Sequence, residues 1–218
     1  MSSMAGSAPP ISSGQRPTRP RDAASLILLR PGTDEPEVLM GRRASRHKFL
    51  PDLFVFPGGG LSLSDVSYSR SMPLFLKSES LIINCPKMPG NLLALGIAAL
   101  RETYEETGIC LGRVHHGQFE PDLTGLCYLG RAITPSGSPI RYHARFFLKD
   151  IGSSPLSLAG SGELTDLAFR PLSLARQLPL ADITEFLLGI LSDLPPDLRP
   201  NRSVFWRYRA GKPLIRWS

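Results

Sequence analysis

The sequence predicts an α/β or α+β sandwich in a single domain, and three observations carry that reading. Short apolar runs closed by turn residues alternate with two stretches of helical period, an order that packs as layers around one core. The 218 residues are about one and a half times an ordinary domain length, which fits one decorated domain better than two. Apolar residues make up 42% of the chain, enough to fill a core of that size.

Taken in order, residues 1–22 are rich in Ser, Pro and Gly without apolar periodicity and read as a disordered tail. They lack the apolar stretch of a secretory signal. Ala23–Leu29 (AASLILL) reads as a buried strand; Glu37–Met40 follows as a second, after the turn signal Pro31-Gly32. Leu53–Phe56 is a short strand that stops at Pro57-Gly58-Gly59-Gly60. Residues 61–91 hold many serines and Pro-led breaks and read as an irregular insertion. Leu92–Thr107 has helical period, with Gly108 as its stop. Strands are expected at Leu126–Ile133 and Arg141–Leu148, a Gly/Ser loop at 152–162, a short strand at Leu167–Arg170 and a second helix at Asp182–Leu191. The domain so defined covers 23–192, and 193–218 is left as a basic C-terminal extension.

The formal charge of +6 is unevenly placed. Residues 1–22 carry +2, residues 199–218 carry +6, and the body between is mildly acidic. Clustered basic charge attracts phosphates of any kind; here it sits at the ends, and nucleic acid is not the expected partner. No apolar run approaches a membrane span. Three cysteines, Cys85, Cys110 and Cys127, without a C-x-x-C, support neither a disulfide framework nor a zinc site, and a reducing, cytoplasmic setting fits. His115-His116 and His143 lack the spacing partners of a metal site. Oligomeric state stays open, a homodimer included.

The chemistry is written in Arg101-Glu102-Thr103-Tyr104-Glu105-Glu106-Thr107-Gly108-Ile109. On a helix Glu102, Glu105 and Glu106 stand at i, i+3 and i+4 and share a face, with Leu93, Ile97, Leu100 and Tyr104 opposite. Converging carboxylates repel, and a hard divalent cation reverses that sign while keeping room for phosphate oxygens. The competing reading, a solvated acidic face, is weakened by the fixed residues around the cluster and by the strand ending in Phe56-Pro57-Gly58-Gly59 just upstream.

These residues resemble the Nudix hydrolase family, whose box runs G-x5-E-x7-R-E-U-x-E-E-x-G-U, with U apolar. The second half matches from Arg101 to Ile109. In the first half Gly59 plus six reaches Asp65 in place of Glu, and 42 positions separate Gly59 from Arg101 where the pattern needs 14, an insertion of 28 residues. Asp65 is therefore not assigned to the site. The resemblance implies a Nudix-like α/β/α sandwich with a mixed sheet, and hydrolysis of a nucleoside diphosphate derivative with Mg²⁺ or Mn²⁺. It makes Glu102, Glu105 and Glu106 the metal ligands and Arg101 their structural partner. Gly58, Gly59 and Gly60 then form a loop that lets the backbone approach phosphate. Glu163, at the end of the Gly/Ser loop, is a candidate general base, because a carboxylate bound directly to a cation is a poor proton acceptor.

Upstream, Arg43-Ala44, Lys48, Asp52 and Phe56-Pro57-Gly58-Gly59 partly resemble the coenzyme A diphosphatase motif R-S/A-x3-R-x3-G-x3-F-P-G-G, with Lys48 for Arg and Asp52 for Gly. The resemblance implies a small-molecule nucleotide substrate, coenzyme A or an acyl derivative, with Arg43 and Lys48 as phosphate contacts. Arg131 and Arg145 lie in strand-like runs and face either a phosphate or solvent, and Trp206 and Trp217 among the C-terminal basic residues suit packing onto the body. Two alternatives stand beside this reading: a non-catalytic nucleotide sensor, and a nucleotide-sanitising or RNA-end pyrophosphohydrolase.

Overall fold

Strand β1 (Arg21–Arg30) is apolar on both faces through its centre because both faces are covered: Leu26 and Leu28 point to one side, Ile27 to the other, and all three are fully buried. The computed structural model describes residues 18–72, 82–83, 91–153, 156–193 and 202–218. β1 sits inside a mixed sheet with β2 (Glu37–Arg43), β8 (Leu126–Ile133), β9 (Tyr142–Asp150), β10 (Leu164–Pro171), β11 (Val204–Arg209) and β12 (Lys212–Trp217), in the order β10-β2-β1-β9-β8-β11-β12. β1 runs parallel to β9, and β11 parallel to β8, while β2 and β10 flank in antiparallel fashion. Short strands β3 (Phe54–Val55), β4 (Gly58–Gly60) and β5 (Ile82–Ile83) attach to β2, β1 and β8. A separate hairpin joins β6 (Gly112–His115) to β7 (Gln118–Pro121).

Helices cover both faces. α2 (Leu92–Thr107) lays Leu95, Ala99 and Leu100 over Leu26, Leu28 and Phe147. On the other face α4 (Asp182–Ser192), preceded by the short α3 (Leu172–Ala175), packs Leu187, Leu188 and Leu191 against Ile27, Met40 and Phe146. The expected α/β/α sandwich with a mixed sheet is thus found.

Three expectations need correction. Residues 61–91 do not begin irregularly: α1 (Leu63–Ser71) opens them, started by a capping box in which Ser62 and Asp65 exchange hydrogen bonds. Positions 73–81 and 84–90 lie outside the described residues. The C-terminal residues are not an appendage, since β11 and β12 extend the main sheet and Trp206 is buried in its core. Val204, Trp206 and Tyr208 turn to the core, and the opposite face of β11 carries Phe205, Arg207 and Arg209, whose charge made the segment read as a basic extension. Finally, β1 begins at Arg21, inside the segment read as tail; residues 1–17 of that tail lie outside the described residues.

Candidate active site

Helix α2 ends where the sequence stops it. Gly108 adopts φ 74°, the left-handed conformation that closes a helix, and its N–H donates to the Tyr104 carbonyl. Past it, the loop ahead of β10 folds back on the helix end: the N–H of Ala159 donates to Thr107 O and that of Ser161 to Glu106 O. Those bonds satisfy carbonyls the helix leaves free. They also fix Glu163 beside the glutamates of the last turn.

Arg101 is the hub. Its Nε and Nη2 fork onto the two oxygens of Asp65 at 2.9 and 3.0 Å. Nη1 donates to Glu102 Oε1 and Glu105 Oε2, both at 2.9 Å, and Nη2 also reaches Gly60 O at 3.1 Å. Asp65, 2% exposed, is the residue that spacing from Gly59 reached and spacing to Arg101 kept off the site. Helix α1 returns it to Arg101 across the insertion. The signal was present as Ser62-x-x-Asp65, a capping pattern that starts a helix. Burial alone raises the Asp65 pKa, but the bonds from Arg101 and Ser62 outweigh it and hold the carboxyl below its ordinary value.

One guanidinium therefore answers three carboxylates, and Glu106 receives none of it. Glu106 is 4% exposed and accepts the Gly58 N–H at 2.8 Å. Burial pushes its carboxyl up to about 8; the Gly58 N–H opposes, the charge of Glu102 adds, Arg43 opposes, and Glu163 adds. Glu102 is raised as well, by burial, against Arg101 and with help from Glu105 and Glu163. Glu163 is itself exposed at the rim, in electrostatic reach of both.

Gly59 is required by contact. A Cβ there would lie 2.3 Å from the Glu102 carboxyl carbon and 2.5 Å from both its oxygens. The strand β4 thus forms a floor under Glu102, with the Gly58 N–H aimed at Glu106 and Gly60 O at Arg101.

The expected convergence of Glu102, Glu105 and Glu106 is only partly seen. Among the described residues, no three His, Cys, Asp or Glu side chains stand together as a ready-made metal cage. Arg101 draws Glu105 outward, where it is 54% exposed. The association found is Glu102 with Glu106, and Glu163 beyond. These are hard oxygen donors whose mutual repulsion a divalent cation relieves, so the donor set fits Mg²⁺ or Mn²⁺.

The basic loop reaches the site through one residue. Arg43 acts electrostatically on Glu106, and its Nη2 pairs with His47 Nδ1 at 3.1 Å while its buried Nε has no partner. Lys48 stands exposed. Arg42 bonds Asp52, and Arg46 donates to Gly162 O at 2.8 Å, tying this loop to the one carrying Glu163. Asp52 has φ 61°, a conformation natural to the glycine it replaces, and accepts from Ser45 Oγ at 2.7 Å. The rings of His115 and His116 lie 4.1 Å apart, tilted by 53°, in the β6–β7 hairpin, and His143 lies in β9.

The chain matches no protein-family model. Among solved structures, a NUDIX hydrolase from Alicyclobacillus acidocaldarius superposes with a TM-score of 0.64 at 28% identity, covering 82% of this chain and 93% of that one. The NUDIX domain of Shewanella oneidensis NrtR, solved with ADP ribose, gives a TM-score of 0.52 at 16% identity over 81% and 88%, a likeness of fold. In sequence, the acyl-coenzyme A diphosphatase NUDT19 of Xenopus laevis is 33% identical over 36% of this chain and 26% of its own length. The chain therefore matches about a quarter of that relative.

Proposed function

From the premise of a Nudix hydrolase fold and an intact second half of the box, we propose that this chain is a divalent-metal-dependent pyrophosphohydrolase. It cleaves the diphosphate linkage of a nucleoside diphosphate derivative, with coenzyme A or an acyl-coenzyme A as the substrate. The observation that carries the reading is Glu106: a buried carboxyl with a single backbone donor, pushed up to about 8 beside Glu102 and Glu163. A fold has no structural use for such a group, and leaving it unpaired with a cation is costly.

Glu102 and Glu106 would hold Mg²⁺ or Mn²⁺, and Glu105, bonded to Arg101, is the further candidate ligand. When bound, the cation supplies Lewis-acid neutralisation of the diphosphate. Arg101 and Asp65 fix the position of Glu102. Gly58, Gly59 and Gly60 bring the backbone close to the substrate phosphates, and Arg43 and Lys48 supply positive charge on the same side. Glu163, outside the metal ligands, takes the proton of the attacking water at its carboxylate. The partial match of the 43–59 segment to the coenzyme A diphosphatase motif supports that substrate, as does the similarity to the acyl-coenzyme A diphosphatase relative.

A panel of coenzyme A, acyl-coenzyme A, dinucleoside polyphosphate, sugar nucleotide and nucleoside triphosphate, each with Mg²⁺, Mn²⁺ or EDTA, tests this. Metal-dependent release of adenosine 3′,5′-bisphosphate from coenzyme A is the expected result. Binding without turnover of any compound returns the chain to a sensor; turnover of triphosphates alone makes it a sanitising enzyme.

A further inference from the structure

A second concentration of charge lies on the sheet face that α2 covers, and the hydrolytic residues do not use it. In strand register Gly59, Ala24, Arg145, Arg131 and Phe205 are successive partners on β4, β1, β9, β8 and β11. Partners in register project to the same face. At about 4.8 Å per strand, Arg145 stands roughly 10 Å and Arg131 roughly 14 Å from Gly59, on which the Glu102 carboxylate rests. A second row, Asp22, His143, Ile133 and Arg207, runs beside the first.

Three guanidiniums and an imidazole thus share one patch. Arg131 and Arg145 are direct cross-strand partners, an arrangement of like charges that destabilises a sheet. Arg131 and Arg207 lie over the Phe205 ring at 4.1 and 5.7 Å from its centre. The acid set against them is Asp22, half exposed, which pairs with Arg145 and stands 3.9 Å from His143 Nδ1. Arg145 Nε, Arg207 Nε and His143 Nε2 are buried with no hydrogen-bond partner. Burial, then Arg145 and Arg131, push the His143 pKa down to about 4 against the pull of Asp22. A patch with surplus positive charge and three buried orphan nitrogens is built for an anion.

We propose that Arg131, Arg145, Arg207 and His143 form a subsite for a phosphomonoester on the nucleotide half of the substrate, so that a nucleotide with a further phosphate is selected over its unphosphorylated twin. The proposal rests on the reading above for the identity of the substrate, and it places that phosphate on the sheet rather than in the 42–48 loop. In that loop Arg42 and Arg46 are already bonded to Asp52 and Gly162, while Arg43 Nε and His47 Nε2 are also buried without a partner, so the loop is the rival location that the test separates. The sheet patch lies a nucleoside's reach from the carboxylates, where a nucleotide bound by its diphosphate would extend.

The test is calorimetric titration of the full chain in EDTA with adenosine 3′,5′-bisphosphate and with adenosine 5′-monophosphate. The expected result is a preference of about tenfold or more for the bisphosphate, reduced to threefold or less in Arg145→Gln and in Arg131→Gln. Arg207→Gln, on the strand next to the sheet edge, serves if either buried variant fails to fold, as circular dichroism will tell. Equal affinity of the two nucleotides overturns the proposal, as does a preference that survives in every folded variant. So does a preference lost in Arg43→Gln but kept in Arg145→Gln, which puts the phosphate in the loop. Because no turnover is read, failure of every diphosphate to be hydrolysed counts against the function proposed above and leaves this result intact.

Discussion

At the scale of single residues the three box glutamates, alike in sequence, are made unequal by their surroundings. Glu106 is buried against the Gly58 N–H, Glu102 shares Arg101, and Glu105 is turned to solvent. Glu106→Gln keeps the shape and the Gly58 bond but removes a ligand charge. Turnover should fall by about 10²-fold or more, and Glu105→Gln should lower it less while raising the metal concentration needed. Near-wild-type turnover of Glu106→Gln at low metal would refute the site. For Glu163→Gln the expected loss is about 10²–10⁴-fold, the contribution of a general base, with metal affinity unchanged; a loss below tenfold returns the proton-accepting role to Glu102. The glutamates, Arg101 and the Gly run were legible because they are fixed at short spacing on one helix and one strand. Asp65 was not, because its distance to Arg101 along the chain is set by an insertion whose ends the fold brings together. The arginines of the sheet patch were half legible: Arg131 and Arg145 stood out as charges within strands, but only the pairing register puts them face to face.

Elements that carry these residues are held by close approach and by burial, and each makes its own prediction. Gly59→Ala places a methyl against the Glu102 carboxylate with no free space. The carboxylate must move, so turnover should drop by about tenfold or more while the melting temperature changes little; unchanged kinetics would show that Glu102 has another resting place. The β11–β12 hairpin is the larger test, because composition assigns it to a basic extension and the structure to the core. Trp206 packs on Phe186 with ring centres 4.7 Å apart and is 5% exposed. Trp206→Ala should cost about 3–5 kcal/mol, measured by urea unfolding, whereas a Trp on a dispensable tail would cost nothing. The strands with mostly apolar runs, β1 and β8, and the helices α2 and α4 were readable from composition and period. β11 and β12 were not, since their arginines read as a basic extension rather than as the outer face of a strand, and the β6–β7 hairpin has no fully buried residue to produce a pattern.

For the whole molecule, burial of two titratable groups with opposite signs gives the metal-free protein a stability profile that neither would give alone. Glu106 has its folded pKa raised, from an ordinary 4.5 to about 8. Its contribution is therefore complete below 4.5 and is lost as pH rises to about 8, because the unfolded chain releases that proton first. His143 has its folded pKa depressed, from 6.5 to about 4. Its contribution is complete above 6.5 and is lost as pH falls to about 4, the unfolded chain now taking up the proton first. Between 4.5 and 6.5 the two slopes oppose, and above 6.5 only Glu106 of the two still titrates. In EDTA the melting temperature should thus hold roughly level through the acid range and fall by about 5 °C between pH 6.5 and 8. Glu106→Gln should flatten that alkaline limb, and His143→Asn should tilt the profile between 4.5 and 6.5 downward with rising pH by removing the opposing slope. Adding Mg²⁺ at pH 8 should restore what the alkaline limb lost, because a cation held by Glu102 and Glu106 stabilises the ionised carboxylates that burial disfavours. A melting temperature that ignores both pH and Mg²⁺ would mean that Glu106 ionises as freely in the fold as in water, and the argument from its burial to a metal would then fail at its first step.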